Sequence, residues 1–162
     1  MKLRLSLILF LALGMSAADQ NMASGRSETQ PFSLTLNAPE TVETNAKLVV
    51  NVLLTNTSDK DIVVLQCGFT DYTVELEGFG TAKGSETELG RRLNHKLLGR
   101  VCMATRRVLE PREAFSDEIA IDKLYRMDSP GRYVIRVQRD LSSWMGSKRT
   151  IESNSVTVTV TS

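Results

Sequence analysis

Between Phe32 and Thr161, apolar side chains recur at every second position in short runs, and the runs stop at Gly, Pro, Asn or Asp clusters. A period of two sends alternate side chains to opposite faces of a strand, so each run buries one face and wets the other. Phe32, Leu34 and Leu36 alternate with Ser33, Thr35 and Asn37; Leu48, Val50, Val52 and Leu54 follow within 47–55; Ile62 to Leu65 is a short apolar run. Tyr72, Val74 and Leu76 alternate with Thr73, Glu75 and Glu77. Further strands are expected over 101–109, 114–121, 132–139, with Tyr133, Ile135 and Val137 inward, and 155–161, where valines alternate with threonines. Turn chemistry separates them at Asn56 to Asp61, at Glu110-Pro111-Arg112-Glu113 and at Ser129-Pro130-Gly131. No strand is followed by a long helical pattern, so the layers must be sheet on sheet. Two antiparallel sheets packed face to face are expected, with a closed barrel as the alternative.

The stretch from 78 to 100 is the least regular. Gly78, Gly80, Gly84, Gly90 and Gly99 punctuate it, while Leu89, Leu93 and Leu97 recur at helical spacing. One or two helical turns, or an irregular hairpin arm, fit this pattern. Residues 122–127 read as a connector with a single 3₁₀ turn, and 141–149 as a loop.

The N-terminus carries Lys2 and Arg4, an apolar run from Leu5 to Leu13, and Ser16-Ala17-Ala18. That is the layout of a signal peptide, 1–18, cleaved before Asp19. The run is too short for a membrane span, which needs about 20 residues. Residues 19–30 are polar and aperiodic, a flexible lead-in to a β-sandwich domain over 31–162. The chain has 20 basic and 19 acidic residues, and a hydrophobic content of 41%. The first excludes the basic footprint of a nucleic-acid binder, and the second excludes a disordered chain. The expected location is the periplasm or the cell exterior.

Two cysteines, Cys67 and Cys102, are expected to pair in an oxidising compartment. Closing that loop stabilises the fold by about 4 kcal/mol in the chain-entropy picture. With one histidine, His95, a metal pair lacks partners, so neither a metal nor any other cofactor is expected. Asp59 and Asp61 share a turn, but Ca²⁺ takes about six to eight oxygens. Asn56-Thr57-Ser58 fits the N-glycosylation sequon.

Asp128-Ser129-Pro130-Gly131-Arg132-Tyr133 resembles the corner before the penultimate strand of immunoglobulin-like domains, where the tyrosine hydroxyl bonds back to upstream backbone. Two residues later antibody domains carry a cysteine; here it is Ile135. The expected fold is therefore all-β, a single immunoglobulin-like antiparallel β-sandwich of seven to eight strands. Val52-Leu53-Leu54-Thr55-Asn56-Thr57-Ser58, Tyr72-Thr73-Val74-Glu75-Leu76, Leu109-Glu110-Pro111-Arg112-Glu113 and Pro130-Gly131-Arg132-Tyr133-Val134 resemble secreted bacterial immunoglobulin-like domains, and more narrowly the BsuPI-type proteinase-inhibitor family. The family usually has Pro-Gly-Glu where this chain has Pro111-Arg112-Glu113, and a Trp in the middle segment where this chain has none. The resemblance implies the fold and, as an alternative function, proteinase inhibition; it assigns no inhibitory residue.

No Gly-x-Ser-x-Gly elbow, phosphate loop, His-Glu-x-x-His or Cys-x-x-Cys is present, and His95 lies in a basic stretch suited to solvent. No enzyme is expected. Between Arg91 and Arg112 seven basic residues face one acid, Glu110, whereas Glu40 to Gly90 carries nine acids and three bases. The basic segment either meets an acidic partner or packs on its own acidic strands. Arg91, Arg92, Lys96 and Arg100 are the candidate contacts, with Trp144, on the loop before the last strand, as a fifth. The expected function is an exported, non-catalytic interaction module that binds protein or carbohydrate, with no nucleic-acid partner.

Overall fold

The computed structural model describes residues 31–67, 71–95, 104–141 and 150–162. Among these residues, twelve strands and two short helices run in the order β1 (Phe32–Asn37), β2 (Thr41–Glu43), β3 (Val49–Asn56), β4 (Ile62–Gln66), β5 (Tyr72–Phe79), β6 (Gly84–Glu86), α1 (Glu88–Asn94), β7 (Thr105–Leu109), β8 (Ala114–Ala120), α2 (Ile121–Leu124), β9 (Tyr125–Met127), β10 (Gly131–Asp140), β11 (Thr150–Glu152) and β12 (Val156–Thr161).

The main sheets are those of an immunoglobulin-like sandwich. One has the order β1-β3-β8, all antiparallel. In the other, β10 pairs with β5 on one side and with β12 and β11 on the other, and β2 joins beyond β12. Two further pairs, β4 with β7 and β6 with β9, complete the described strands. The chain enters in the first sheet as β1 and crosses to the second as β2. That crossing makes the β2–β12 pair parallel, a correction to a purely antiparallel sandwich. The strand count also exceeds seven to eight. The eight expected runs are present, that over 101–109 as Thr105–Leu109 among the described residues, and the additions are β2, β6, β9 and β11, each only three residues long and too short to show a period.

Alternation builds the core. Phe32, Leu34, Leu36, Val50, Val52, Leu54, Phe115 and Ile119 project from the first sheet onto Tyr72, Val74, Tyr133, Ile135, Val137, Val158 and Val160 of the second, all at most 7% exposed. Each such side chain contributes roughly 1.5–3 kcal/mol through loss of water contact. The corner motif behaves as expected: Tyr133 Oη donates to the Ser129 carbonyl at 2.7 Å, pinning the turn before β10. Residues 122–127, expected as one turn, instead form the end of α2 and then β9.

Candidate interaction site

An exposed strand edge is a row of unpaired N–H and C=O groups that a second chain can join, and proteins commonly close such edges. Two edges here are met by side chains, each at one residue. On β1, the Leu36 N–H donates to Asn154 Oδ1 at 2.7 Å and Asn154 Nδ2 donates to the Leu36 carbonyl at 3.1 Å, so one amide replaces a strand residue. On β5, the Val74 N–H donates to Asn94 Oδ1 at 2.9 Å, and Tyr125 Oη donates to the Val74 carbonyl at 2.6 Å.

Helix α1 positions Asn94 for this. Thr87 caps it, accepting from the Gly90 N–H at 3.0 Å and donating to the Lys123 carbonyl at 2.6 Å. Gly90 lies so close to the Leu124 carbonyl that a Cβ there would overlap it. Glu86 completes the arrangement, accepting from Asn94 Nδ2 at 2.8 Å and facing His95 Nε2 at 3.3 Å. The hydrogen bond from Asn94 is the main cause that holds the Glu86 carboxyl below the usual carboxylate range. Tyr125 is pushed above the usual tyrosine range, first by burial and then by the Glu86 charge.

The outer edge of β8 is different. The bonds Asn56 N–H to Glu113 carbonyl and Ile121 N–H to Leu48 carbonyl fix the phase of the β3–β8 ladder. In an antiparallel pair, hydrogen-bonded and non-bonded positions alternate. Ala114, Ser116, Glu118 and Ala120 therefore turn their backbone groups away from β3, and no described strand pairs with them there. Ser116 and Glu118 are exposed. At the C-terminal end of this edge lies an apolar cleft of about 220 Å³ lined by Leu89, Glu118, Ile119, Ala120, Lys123 and Leu124. Leu89 and the nearby Val49, register partner of Ala120, are among the exposed large hydrophobic residues.

The polar groups beneath β8 are committed to holding the sheets together. Arg139, 1% exposed, donates to Tyr72 Oη at 2.7 Å and to the Leu65 carbonyl at 3.0 Å, and pairs with Asp71 at 3.2 Å. Tyr72 donates to Asp117 Oδ2 at 2.7 Å, and Gln66 donates to Asp117 Oδ1 at 2.8 Å. The Phe115 ring has Arg139 and Arg107 each 5.1 Å from its centre. Burial is the main cause that raises the Tyr72 hydroxyl far above the usual tyrosine range, against the pull of the Arg139 charge.

Of the residues expected to bind, Arg91 and Arg92 are exposed on α1, and Arg91 is in contact with Glu88 one turn earlier. Together with the His95–Glu86 pair, this joins the start of the basic run to the end of the acidic one. Lys96, Arg100, Trp144 and Cys102 lie outside the described residues; among those described, no cysteine is free. No group of three or more His, Cys, Asp or Glu able to hold a metal occurs among the described residues, and no described helix is long and apolar enough to cross a membrane. The sequon reading is corrected. Asn56 is fully buried, its Nδ2 donating to the Lys60, Leu109 and Glu110 carbonyls at 2.7, 3.0 and 3.1 Å, so its amide organises a turn in the folded chain. Sequence reasoning missed Arg139, Asp117 and the two edge-closing asparagines.

No family model matches the chain, and no curated protein matches it. Among solved structures it is similar to a CARDB domain from Pyrococcus furiosus, at 12% identity and a TM-score of 0.39, over 80% of this chain and 94% of that one. It is also similar to a β-glucosidase from Erythrobacter marinus, at 15% identity and a TM-score of 0.39, over 80% of this chain and 15% of that one. The BsuPI-type resemblance gains no support from these comparisons. The strand order and register above carry the fold assignment.

Proposed function

We propose that this protein is an exported, non-catalytic β-sandwich module that binds another polypeptide by main-chain pairing along the outer edge of β8. The observation that carries the reading is the contrast between edges: β1 and β5 are held at Leu36 and Val74 by Asn154, Asn94 and Tyr125, while the outward groups of β8 meet no partner among the described residues and lie beside an apolar cleft. A row of backbone donors and acceptors with a side-chain pocket at its end recognises an extended peptide, which favours protein over carbohydrate.

Ser116→Pro tests this. It removes an outward N–H without touching the β3 ladder, the position where proline is tolerated on an edge strand. Immobilised wild-type protein is expected to retain exported proteins that the variant, with an unchanged melting temperature, does not. Identical retention by both, or turnover of a panel of hydrolase substrates, would contradict the reading.

Export rests on Lys2, Arg4, the short apolar run and Ser16-Ala17-Ala18. The mature chain should begin at or near Asp19; an intact mass that keeps residues 1–18 in a soluble cytoplasmic fraction overturns it. Cys67 and Cys102 should alkylate only after reduction, and rapid labelling of both in the folded protein overturns the bridge.

A further inference from the structure

We infer that the polypeptide taken up by the β8 edge is a second copy of this chain, joined antiparallel about a two-fold axis at Ser116. The inference rests on the reading of β8 as the interaction edge and names its partner.

The argument is one of charge and register. Antiparallel pairing along this edge must place outward-facing residues, those of even number from Ala114 to Ala120, opposite one another. Like charges directly opposite are unfavourable. Three of the registers available to two identical strands violate this. One sets Glu113 against Asp117 of the second copy, the next sets Asp117 against its own equivalent, and another sets Glu118 against its own equivalent. The register centred on Ser116 avoids all three. It places Ser116 against Ser116, Phe115 against Asp117 and Ala114 against Glu118.

The same register settles two charges. Glu118 and Arg112 are both exposed, and no ion-pair partner meets either within the described chain. Across the axis, Glu118 of one copy lies opposite Ala114 of the other, and Arg112, in the turn two residues before Ala114, has a side chain long enough to reach that carboxylate. Symmetry makes the contact twice, as an isologous interface requires. The two three-stranded sheets then become one continuous six-stranded sheet. Heterologous partners place no such demand on β8, whose sequence would have no reason to be compatible with itself.

Sedimentation of the mature chain over a range of concentrations provides the test. The wild type is expected to show a reversible monomer–dimer equilibrium. Ser116→Glu, which sets two carboxylates face to face at the axis, is expected to be monomeric and to melt as the wild type does at concentrations where the wild type is monomeric. Glu118→Arg is expected to weaken the dimer about tenfold, because the axis counts each repulsion twice. Adding Arg112→Asp, which suits the left-handed backbone there at φ 66°, restores the attraction and should recover most of the loss. A wild type that is monomeric at every concentration, or a double variant no better than Glu118→Arg alone, overturns the inference. If the wild type is monomeric yet still retains proteins that Ser116→Pro loses, only the identity of the partner falls. If neither dimer nor selective retention is seen, the interaction edge falls with it.

Discussion

The guanidinium of Arg139 donates to the hydroxyl oxygen of Tyr72 over 2.7 Å while its carbon stands 5.0 Å from the centre of the same ring. The hydroxyl in turn donates to Asp117, so a single tyrosine passes a hydrogen-bond chain from β10 of one sheet to β8 of the other. Tyr72→Phe keeps the ring contact and removes the relay, leaving Arg139 and Asp117 each short of a buried partner. Urea melts should show a loss of about 2–3 kcal/mol. Arg139→Ala, which removes the buried cation that pairs with Asp71 and Asp117, should cost about 3–5 kcal/mol. A Tyr72→Phe variant as stable as the wild type would mean that the relay contributes nothing.

Alkaline stability follows from the same tyrosine and from Tyr125. Both hydroxyls are held above the ordinary value of 10.0, mainly by burial. Above about pH 10 the unfolded chain releases these protons while the folded chain keeps them, so folding stability falls as pH rises. The stabilisation is complete below the unfolded value and is lost progressively above it. Denaturant melts from neutral pH to about pH 11 should show this decline, and the double variant Tyr72→Phe/Tyr125→Phe should show a flatter one. Equal slopes would contradict the assignment.

Asn56 provides a third test. Its amide donates to three carbonyls, and its Oδ1 accepts from the Ser58 N–H at 2.9 Å and the Ser58 hydroxyl at 2.8 Å. Asn56→Ala should cost about 3 kcal/mol, since buried carbonyls lose their donor. Asn56→Asp should not rescue, because a carboxylate cannot donate. A loss below about 1 kcal/mol in either variant would count against the structural role of this side chain.

Much of the fold was legible in the sequence because period two reports strand faces directly. Phe32, Val50, Val74, Tyr133 and Val158 are all inward where alternation put them, and the Tyr133 corner formed as its motif implied. The site was less legible. Arg139 lies on the inward parity of Tyr133, Ile135 and Val137, and Asp117 on that of Phe115 and Ile119. Charged residues at buried parity on two strands were a usable signal of an inter-sheet pair. The edge closures carried no such signal: Asn154 meets Leu36 from 118 positions away, and Asn94 meets Val74 from 20. Tertiary placement alone creates those contacts.

Gly90 tests the docking of α1. Glycine to alanine within a helix usually gains about 1 kcal/mol. Here the new Cβ would meet the Leu124 carbonyl, so the helix must move and carry Asn94 away from Val74. Gly90→Ala should therefore lower the melting temperature. An increase would show that α1 has room to spare and that its hold on the β5 edge is loose.

Amide hydrogen exchange, read residue by residue in dilute solution where the chain is monomeric, tests the central claim most directly. Exchange is slow where a backbone N–H is bonded in a stable element and fast where it meets water. The account predicts slow exchange at Leu36 and Val74, whose N–H groups are held by Asn154 and Asn94, and fast exchange at Ser116 and Glu118 on the outer edge of β8. Protection of Ser116 and Glu118 equal to that of Leu36 in the monomer would contradict it, because β8 would then already be covered.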